Sequence, residues 1–495
     1  MGAVSRGGQR VNSSGSVDRG APDPLRSSAN RVFLSSLGVL WTSWFLWWLA
    51  LYPGIMSADS LDQWAQAQSF QFNDWHPYLY ALLLSGLKLI HFSPSMMGLL
   101  QILVTALLVA IIARYVRLKG VNWRWIVLVV AVYALYPQFG DYNVTIWKDV
   151  LFSVGLFAQA FLVYVIALDR DESWWPYVLL GFLAGLSVSL RANGVLNLVL
   201  PAALLLFSAV RRRRIVLVLV LAILTQVFFG VVLFNALHVR RNLLQMDQIR
   251  VKTVGAIYRL PESGPSLTAE QARVFESMMP PSIWASAYMP FYSNELFFDH
   301  FSKLPQVEAL TLENAGRSPF YRDWKRAVIG AAMRNPGALL KDKYLQTLFF
   351  LLSPDWPGAY VTTQKVDEAL LRQENYPNVE SVLPWARFSG LRAFYTSVLV
   401  VTGDRGLLGQ LFWAPGWVLL AYLGMLACAV WMKCRATLLY ICAILGNVVF
   451  VIAVSPASDY RYLYFAALAV FVLPLLILAE RRFRSPESRT VAIED

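Results

Sequence analysis

Charged residues are scarce in this sequence. Asp, Glu, Lys and Arg together make up 15% of its 495 residues, whereas hydrophobic residues make up 57% and aromatic residues 14%. A water-soluble globular chain carries about 25% charged and about 45–50% apolar residues. The composition therefore excludes a water-soluble globular protein, and it also excludes a disordered chain, a collagen and a coiled coil.

Cysteine is scarce as well. The three cysteines, Cys428, Cys434 and Cys442, all lie in apolar or membrane-flanking sequence. An odd number in such positions argues against a disulfide framework and against a thiolate metal site. The sequence also lacks a Walker loop, a GxGxxG fingerprint and a zinc-ligand spacing, so it gives no motif for binding a nucleotide or zinc.

Long apolar runs without charge recur along the chain. The first, 32–52, has 21 residues, and a bilayer core of roughly 30 Å needs about 20. No small-residue cleavage site follows it, which favours a retained transmembrane helix over a signal peptide. Nine further runs are 96–113, 125–140, 150–168, 174–190, 192–210, 215–237, 406–432, 436–458 and 462–479.

These runs predict an all-α polytopic membrane protein with about ten transmembrane helices. Three shorter apolar runs, 77–87, 344–354 and 393–403, have 11 residues each. That length suits interfacial or re-entrant helices, and the count rises to 12–13 if they cross the membrane.

The net charge of +12, from 43 Lys and Arg against 31 Asp and Glu, would suggest nucleic-acid binding in a soluble protein. Here its placement indicates topology instead. With ten spans and a cytoplasmic N-terminus, the short inner segments hold 19 basic residues and the short outer segments hold 4. This bias obeys the positive-inside rule and predicts that both termini are cytoplasmic. If 77–87 crossed the membrane, the run Arg211 to Arg214 would move to the outer side.

The chain then divides into five parts. They are a disordered cytoplasmic arm (1–31), an N-terminal membrane module with a long first loop at 53–95 (32–237), an extracytoplasmic domain with membrane-associated helices (238–405), C-terminal transmembrane helices (406–480) and a cytoplasmic tail (481–495).

Ionisable residues gather in four segments at the predicted outer boundary of the membrane. The first loop contains YPGIMSADSLDQWAQ and FNDWHP, and the later segments are GDYNVTIWKD, SLRANG and SDYRYLY. The candidate site residues in them are Asp59, Asp62, Asp74, His76, Asp141, Lys148, Asp149, Arg191, Asp459 and Arg461, with Tyr460 and Tyr462 on either side of the last arginine. Because all four segments lie on one side of the membrane, we expect acidic and basic groups to converge above one cavity.

Glycosyl transfer from a sugar carried on a polyprenyl phosphate requires such an arrangement. A carboxylate takes the proton of the acceptor hydroxyl as it attacks the anomeric carbon. Arginine or lysine stabilises the charge that grows on the departing phosphate. The reaction needs no nucleotide, in agreement with the missing nucleotide motifs. The sequence is compatible with a glycan, a lipid, a protein or a cell-wall polymer as the acceptor.

The chain resembles the GT-C superfamily of integral-membrane glycosyltransferases. The resemblance lies in the Asp of SADS soon after the first span, the acidic segment GDYNVTIWKD and the Arg-Tyr pair of DYRYLY. More closely, it resembles a group of bacterial multi-pass proteins with a PGxxSxDS…DxHP first loop and a WKD element, here at 53–60, 73–77 and 147–149. This likeness implies a bacterial plasma (inner) membrane location with an extracytoplasmic active site.

The resemblance also implies residue roles. Asp59 would be the catalytic base, and Asp141 or Asp149 would occupy the second acidic position. Arg191 or Arg461 would bind the donor phosphate. The chain departs from many relatives in carrying its soluble domain before the last three spans, an arrangement similar to that of the protein O-mannosyltransferases.

The first-loop residues also have structural interpretations. Ser57 or Asp59 could start a helix as its N-cap, and Asp62 could serve only the helix dipole. Asp74 and His76 could bind the acceptor or the donor. No cofactor is predicted, and a divalent metal is compatible with the sequence but not indicated by it, because the four histidines are scattered.

The remaining candidates have structural interpretations too. Lys148 and Asp149 could form an interfacial snorkelling pair, and Arg191 could anchor lipid headgroups. Tyr460 and Tyr462 could belong to an aromatic belt.

Three other functions compete with the glycosyltransferase. An O-antigen-type polymerase or ligase also carries a long, late outer loop. A lipid or sugar transporter or flippase would need ionisable groups near the bilayer midplane, whereas the predicted spans are free of charge. A membrane scaffold with a binding domain would not require four converging polar segments. In the predicted domain, Trp284, Trp324 and Trp356 are candidates for stacking on sugars or for core packing.

Overall fold

The structure, a computed structural model, describes residues 24–170, 173–242, 244, 246–261, 264–291, 295–308, 318–352, 367–384, 386–403, 406–455 and 459–484. Most of these residues are helical, and the described residues form no β-strand. Two isolated backbone bridges join Ile55 to Thr145 and Asn73 to Arg240.

The α-helices in chain order are α1 Pro24–Ala50, α2 Ala58–Ser69, α3 Tyr78–Leu87, α4 Ser95–Leu118, α5 Trp123–Leu135, α6 Pro137–Val144, α7 Lys148–Asp169, α8 Trp175–Leu190, α9 Leu200–Leu205, α10 Arg212–Val227, α11 Phe234–Ala236, α12 Asp247–Arg259, α13 Ala269–Glu276, α14 Pro281–Ser286, α15 Pro305–Glu308, α16 Pro319–Arg334, α17 Pro336–Leu352, α18 Glu368–Gln373, α19 Ser389–Gly403, α20 Leu407–Trp413, α21 Pro415–Trp431, α22 Arg435–Val454, α23 Tyr464–Val470 and α24 Leu473–Arg484. The 3₁₀ segments are Ala192–Leu198, Phe301–Lys303, Val379–Ser381, Ala386–Phe388 and Tyr460–Leu463, and the π-helical segments are Phe228–Leu233 and Glu295–His300.

Several of these helices are long and apolar enough to cross a membrane, which indicates a membrane protein. Among the described residues there are six such segments: Pro24–Ala50, Ser95–Leu118, Lys148–Asp169, Arg212–Ala236, Arg435–Val454 and Tyr460–Arg484. The pair α20 and α21 adds a seventh if it is one span, with a bend of 61° between its halves.

The predicted count of about ten spans is therefore not confirmed. The residue before a proline avoids helical geometry, and this interrupts two of the predicted runs. Tyr136, before Pro137, has ψ 114° and splits 125–140 into helices of 13 and 8 residues. Ala414, before Pro415, has ψ 129° and divides 406–432. A charge-free stretch measures apolar length but does not show where a helix breaks.

Two further predicted spans are also shorter than expected. Run 174–190 forms the 16-residue helix α8, and run 192–210 forms a 3₁₀ segment followed by the 6-residue helix α9. The short run 77–87 forms α3, which has 10 residues.

Helix bounds differ from the predicted boundaries at both ends of the chain. Helix α1 begins at Pro24, inside the predicted arm of 1–31, whose residues 1–23 lie outside the described part. Helix α24 continues to Arg484, past the predicted start of the tail at 481, whose residues 485–495 also lie outside the described part.

The segment 238–405 has a hydrophobic cluster of its own. Its buried members all come from 251–331 and include Trp284 and Trp324, which are fully buried and stack with ring centres 6.2 Å apart. Both tryptophans are therefore core residues rather than exposed platforms for a sugar. Trp356 lies outside the described residues.

Candidate functional site

Four side chains from three distant parts of the chain meet in one place; we call them the charged cluster, and they are Asp59, His76, Lys148 and Arg461. His76 Nε2 lies 3.5 Å from Asp59 Oδ1. Lys148 Nζ and Arg461 Nη1 lie 3.7 Å and 3.1 Å from the other carboxylate oxygen, Oδ2. The expected convergence of acidic and basic groups is thus present around one carboxylate.

The start of helix α2 presents Asp59 to this cluster. Ser57, not Asp59, is the N-cap, and it forms a capping box with Ser60. Ser60 Oγ donates to the Ile146 carbonyl at 2.7 Å, and Trp147 Nε1 donates to Ser57 Oγ at 2.9 Å. These bonds join the first turn of α2 to the residues that precede Lys148. Because Ser57 caps the helix, the Asp59 carboxylate remains available for other contacts.

Gly54 allows the first loop to approach this connection closely. Its φ of +119° is unfavourable for residues with a Cβ, and a Cβ there would lie 2.8 Å from the Ile146 Cδ1 atom and 2.9 Å from the Val144 carbonyl oxygen. The neighbouring Ile55 amide donates to that same Val144 oxygen at 3.2 Å. The Pro-Gly pair of PGIMSADS therefore has a structural reason.

His76 bridges the acidic and basic sides of the cluster. Its Nδ1 lies 3.1 Å from Lys148 Nζ. An ammonium group can only donate, so Nδ1 accepts and the ring proton lies on Nε2, which faces Asp59. Burial, and then the nearby charge of Lys148, lower the pKa of His76, although Asp59 acts in the opposite direction. The neutral imidazole is therefore favoured.

The Asp59 carboxylate is ionised and partly open to solvent. Burial alone would raise its pKa, but Arg461, Lys148 and His76 hold that pKa well below the usual range. Its side chain is 28% exposed, whereas the side chains of His76, Lys148 and Arg461 are 10–16% exposed. A small polar group can thus reach the carboxylate from solvent.

A second ion pair lies beside the charged cluster. Arg191, which follows helix α8, pairs with Asp149, the residue after Lys148. The Arg191 guanidinium lies 4.0 Å from the centre of the Tyr462 ring, and the Arg461 guanidinium lies 5.3 Å from the same ring. The Tyr462 ring therefore lies beside both arginines.

Arg461 has a second carboxylate neighbour. Its Nε lies 2.5 Å from Asp459 Oδ2, and the Asp459 side chain accepts the Arg461 backbone N–H at 3.1 Å through its other oxygen. Asp459 is the N-cap of the 3₁₀ turn that carries Arg461. The guanidinium also lies 5.1 Å from the Trp147 ring centre.

Four sequence-predicted candidates do not touch the charged cluster in the described contacts. Asp62 accepts from Gln66, and Asp74 accepts from the Asn242 backbone N–H. Asp141 is buried in α6, and burial raises its pKa to about 8, so the neutral carboxyl group is favoured near neutral pH. Tyr460 is buried and donates to Gln138. Of the two residues considered for the second acidic position, Asp149 is the one beside the cluster.

Sequence reasoning missed Trp75 and Trp147. Trp147 contacts both Ser57 and Arg461, as described above. Trp75 precedes His76 and packs against the 251–331 cluster, with its ring centre 6.0 Å from Phe297 and 5.8 Å from Phe298. The tryptophans within FNDWHP and IWKD, adjacent to ionisable residues, were the available signal.

Comparison with known proteins finds no matching protein-family model, no matching curated protein and no matching solved structure. Among the described residues, no group of three His, Cys, Asp or Glu side chains is arranged to hold a metal ion. The charged cluster places one partly exposed carboxylate among three side chains that can carry positive charge.

Proposed function

We propose that this protein is a membrane glycosyltransferase that moves a sugar from a polyprenyl-phosphate donor to an acceptor on the extracytoplasmic face. The observation that carries the proposal is the Asp59 carboxylate, accessible to solvent, with Arg461 at 3.1 Å and Lys148 at 3.7 Å. A base for the acceptor and cations for the phosphate are the two elements that the reaction needs.

In this mechanism Asp59 acts as the general base. It takes the proton of an acceptor hydroxyl as the hydroxyl oxygen forms a bond to the anomeric carbon. The bond from that carbon to the phosphate oxygen breaks, and its electron pair leaves with the phosphate. The products are the glycosylated acceptor and polyprenyl phosphate.

Arg461, Arg191 and Lys148 stabilise the phosphate. Guanidinium groups match phosphate oxygens through paired N–H donors, and lysine contributes a point charge. Tyr462, in contact with both guanidinium groups, keeps them side by side. These three cations are paired with the carboxylates of Asp59, Asp149 and Asp459, so they would stabilise the departing phosphate by exchanging carboxylate partners for phosphate oxygens.

The place of these residues along the helices suits a lipid-linked donor. Lys148 begins one candidate span, and Arg461 lies at the start of another. Charges at the ends of spans lie at headgroup depth, where a polyprenyl phosphate presents its phosphate. A transporter requires charges near the middle of spans, so this placement favours the transferase.

Three charged residues buried in 238–405 have partners within that segment. Asp247 accepts from Tyr321 and Trp324 inside the hydrophobic cluster, and Lys252 pairs with Asp342 at 3.4 Å with both side chains buried. These contacts give the buried charges a structural role between helices, whereas the charged cluster centres on Asp59 of the first loop, and an O-antigen-type polymerase or ligase relies on its late outer loop instead.

The experiment is a release assay with purified full-length protein in lipid nanodiscs. Polyprenyl-phosphate hexoses and pentoses are supplied singly with a cell-envelope fraction as the source of acceptors, and mass spectrometry follows the free polyprenyl phosphate. We expect time-dependent release with one donor, and release slower by about 10²-fold or more with Asp59→Asn. Absence of release with every donor, or equal release by Asp59→Asn, would contradict the proposal.

A further inference from the structure

Asp59 is an unusual base because neighbouring cations already balance its negative charge. Arg461 and Lys148 both contact its Oδ2 oxygen, at 3.1 Å and 3.7 Å, while His76 faces Oδ1 at 3.5 Å. A carboxylate paired with two cations accepts a proton poorly. The groups that face it are therefore arranged to keep it ionised, and to keep it weak as a base.

The same arginine has a second, independent anchor. Asp459 holds the Nε edge of the Arg461 guanidinium at 2.5 Å, while Nη1 points to Asp59. A guanidinium is a planar fork with five N–H donors, so one edge can stay bound while the other changes partner. Asp459 is itself fixed, because its side chain caps the turn that carries Arg461.

We propose that Asp59 becomes an effective base only after the donor binds, because the donor phosphate draws Arg461 away from Asp59 while Asp459 holds the other edge of the guanidinium. The inference rests on the proposed function and assigns Asp459 as a positioning residue for it. If this is so, the donor binds before the acceptor.

This exchange of partners by Arg461, between Asp59 and the donor phosphate, also returns Asp59 to its ionised form after each turnover. During transfer Asp59 gains the acceptor proton, and the electron pair of the broken bond leaves with the phosphate. When polyprenyl phosphate departs, Arg461 returns to Asp59 and favours the ionised carboxylate. The proton is then released to solvent, which reaches this side chain because it is 28% exposed.

The protonation of Asp59 can be measured by infrared spectroscopy. Full-length protein in nanodiscs is titrated with acid, with and without polyprenyl monophosphate, a probe that carries no sugar. The carbonyl band of protonated Asp59 is identified as the band that disappears in the Asp59→Asn variant. The Asp62→Asn variant, changed on the same helix, is the matched control and should retain this band. We expect the probe to raise the midpoint of this band by about 1 pH unit or more. A midpoint that is unchanged or lowered by the bound probe would overturn the inference.

Asp459 is tested with its own variants. We expect Asp459→Asn to weaken binding of the probe about tenfold and to reduce the shift of the Asp59 midpoint, because Arg461 loses its anchor. Asp459→Glu should restore part of both. A residue needed only for folding would not change the Asp59 midpoint, so wild-type affinity and a full shift in Asp459→Asn would contradict the assignment.

The two proposals fail differently. A folded protein that binds no polyprenyl monophosphate contradicts the proposed function, and this inference with it. A protein that binds the probe through Arg191 and Arg461 and leaves the Asp59 midpoint where it was contradicts the ordered exchange alone.

Discussion

Asp59 Oδ2 and Arg461 Nη1 lie 3.1 Å apart, although the two residues are separated by 402 positions in the chain. One follows the first span, and the other lies at the start of the last candidate span. The contact therefore joins the first loop to the C-terminal helices of the chain. It also sets the protonation state of the carboxylate on which the proposed chemistry depends.

The base assignment predicts the effect of removing one carboxylate. Asp59→Asn should lower the transfer rate by about 10²–10⁴-fold, because a general base contributes that much. Asp62→Asn, one helical turn further along α2, should retain most activity since its carboxylate contacts Gln66 instead. The rates are measured with equal amounts of folded protein, verified by size-exclusion chromatography. Equal losses in the two variants would show that α2 matters only structurally.

The phosphate assignment predicts a selective loss of donor binding. Arg191→Ala and Arg461→Ala should each raise the KM for the donor by about 10–100-fold and change the KM for the acceptor much less, because each removes a charge-assisted contact. Arg372→Ala is the matched control, since Arg372 pairs with Glu368 and Glu380 on an exposed surface. If the purified variants bind the polyprenyl-phosphate sugar as tightly as the wild type, the two arginines do not bind the donor phosphate.

The pKa of His76 predicts how stability depends on pH. Burial and Lys148 lower this pKa below its ordinary value of 6.5, so between the lowered pKa and 6.5 the unfolded chain binds more protons than the folded one. The contribution of neutral His76 is therefore complete above pH 6.5 and is lost as the pH falls through the lowered pKa. Lowering the pH from about 7 to about 5 should reduce the unfolding temperature of the wild type more than that of His76→Gln, as measured by thermal unfolding at each pH. Gln provides an acceptor for Lys148 and a donor for Asp59 without titrating, so identical pH profiles would refute the prediction.

Trp75 is predicted to position His76. Its ring packs on Phe297 and Phe298, and the loop beside it is joined to 239–242 by the Asp74 N–H, which donates to the Arg240 carbonyl at 2.9 Å. Trp75→Ala should lower kcat by about 10–100-fold, because misplacement by about 1 Å can have that effect. Trp75→Phe, which preserves an aromatic contact, should recover most of the rate. If neither variant changes kcat, the loop does not depend on this contact.

The position of the charged cluster could be predicted because the ionisable residues of the candidate spans lie near the ends of those spans. Asp59, His76, Lys148 and Arg461 were all identified in this way. Their pairing was not, because it depends on packing between segments that are distant in sequence. Asp141 and Asp149 illustrate this limit: they occur in one motif, but only Asp149 faces an arginine. The packing of Trp75 on Phe297 could not be predicted either, because the two residues are distant in the sequence.

Helix length was the weaker part of the prediction. The runs 125–140 and 406–432 contain Pro137 and Pro415, and the helices break at those positions. An absence of charge is a criterion of composition, whereas a span also needs an uninterrupted hydrogen-bond ladder. Both prolines are visible in the sequence, and a proline interrupts the hydrogen-bond ladder whether or not charged residues are present.

The most direct test is a structure of the full-length protein in nanodiscs with polyprenyl monophosphate bound. We predict that phosphate oxygens lie within about 3 Å of the guanidinium groups of Arg191 and Arg461, and that Asp59 no longer pairs with Arg461. A phosphate bound elsewhere on the protein, with the Asp59–Arg461 pair intact, would contradict the account.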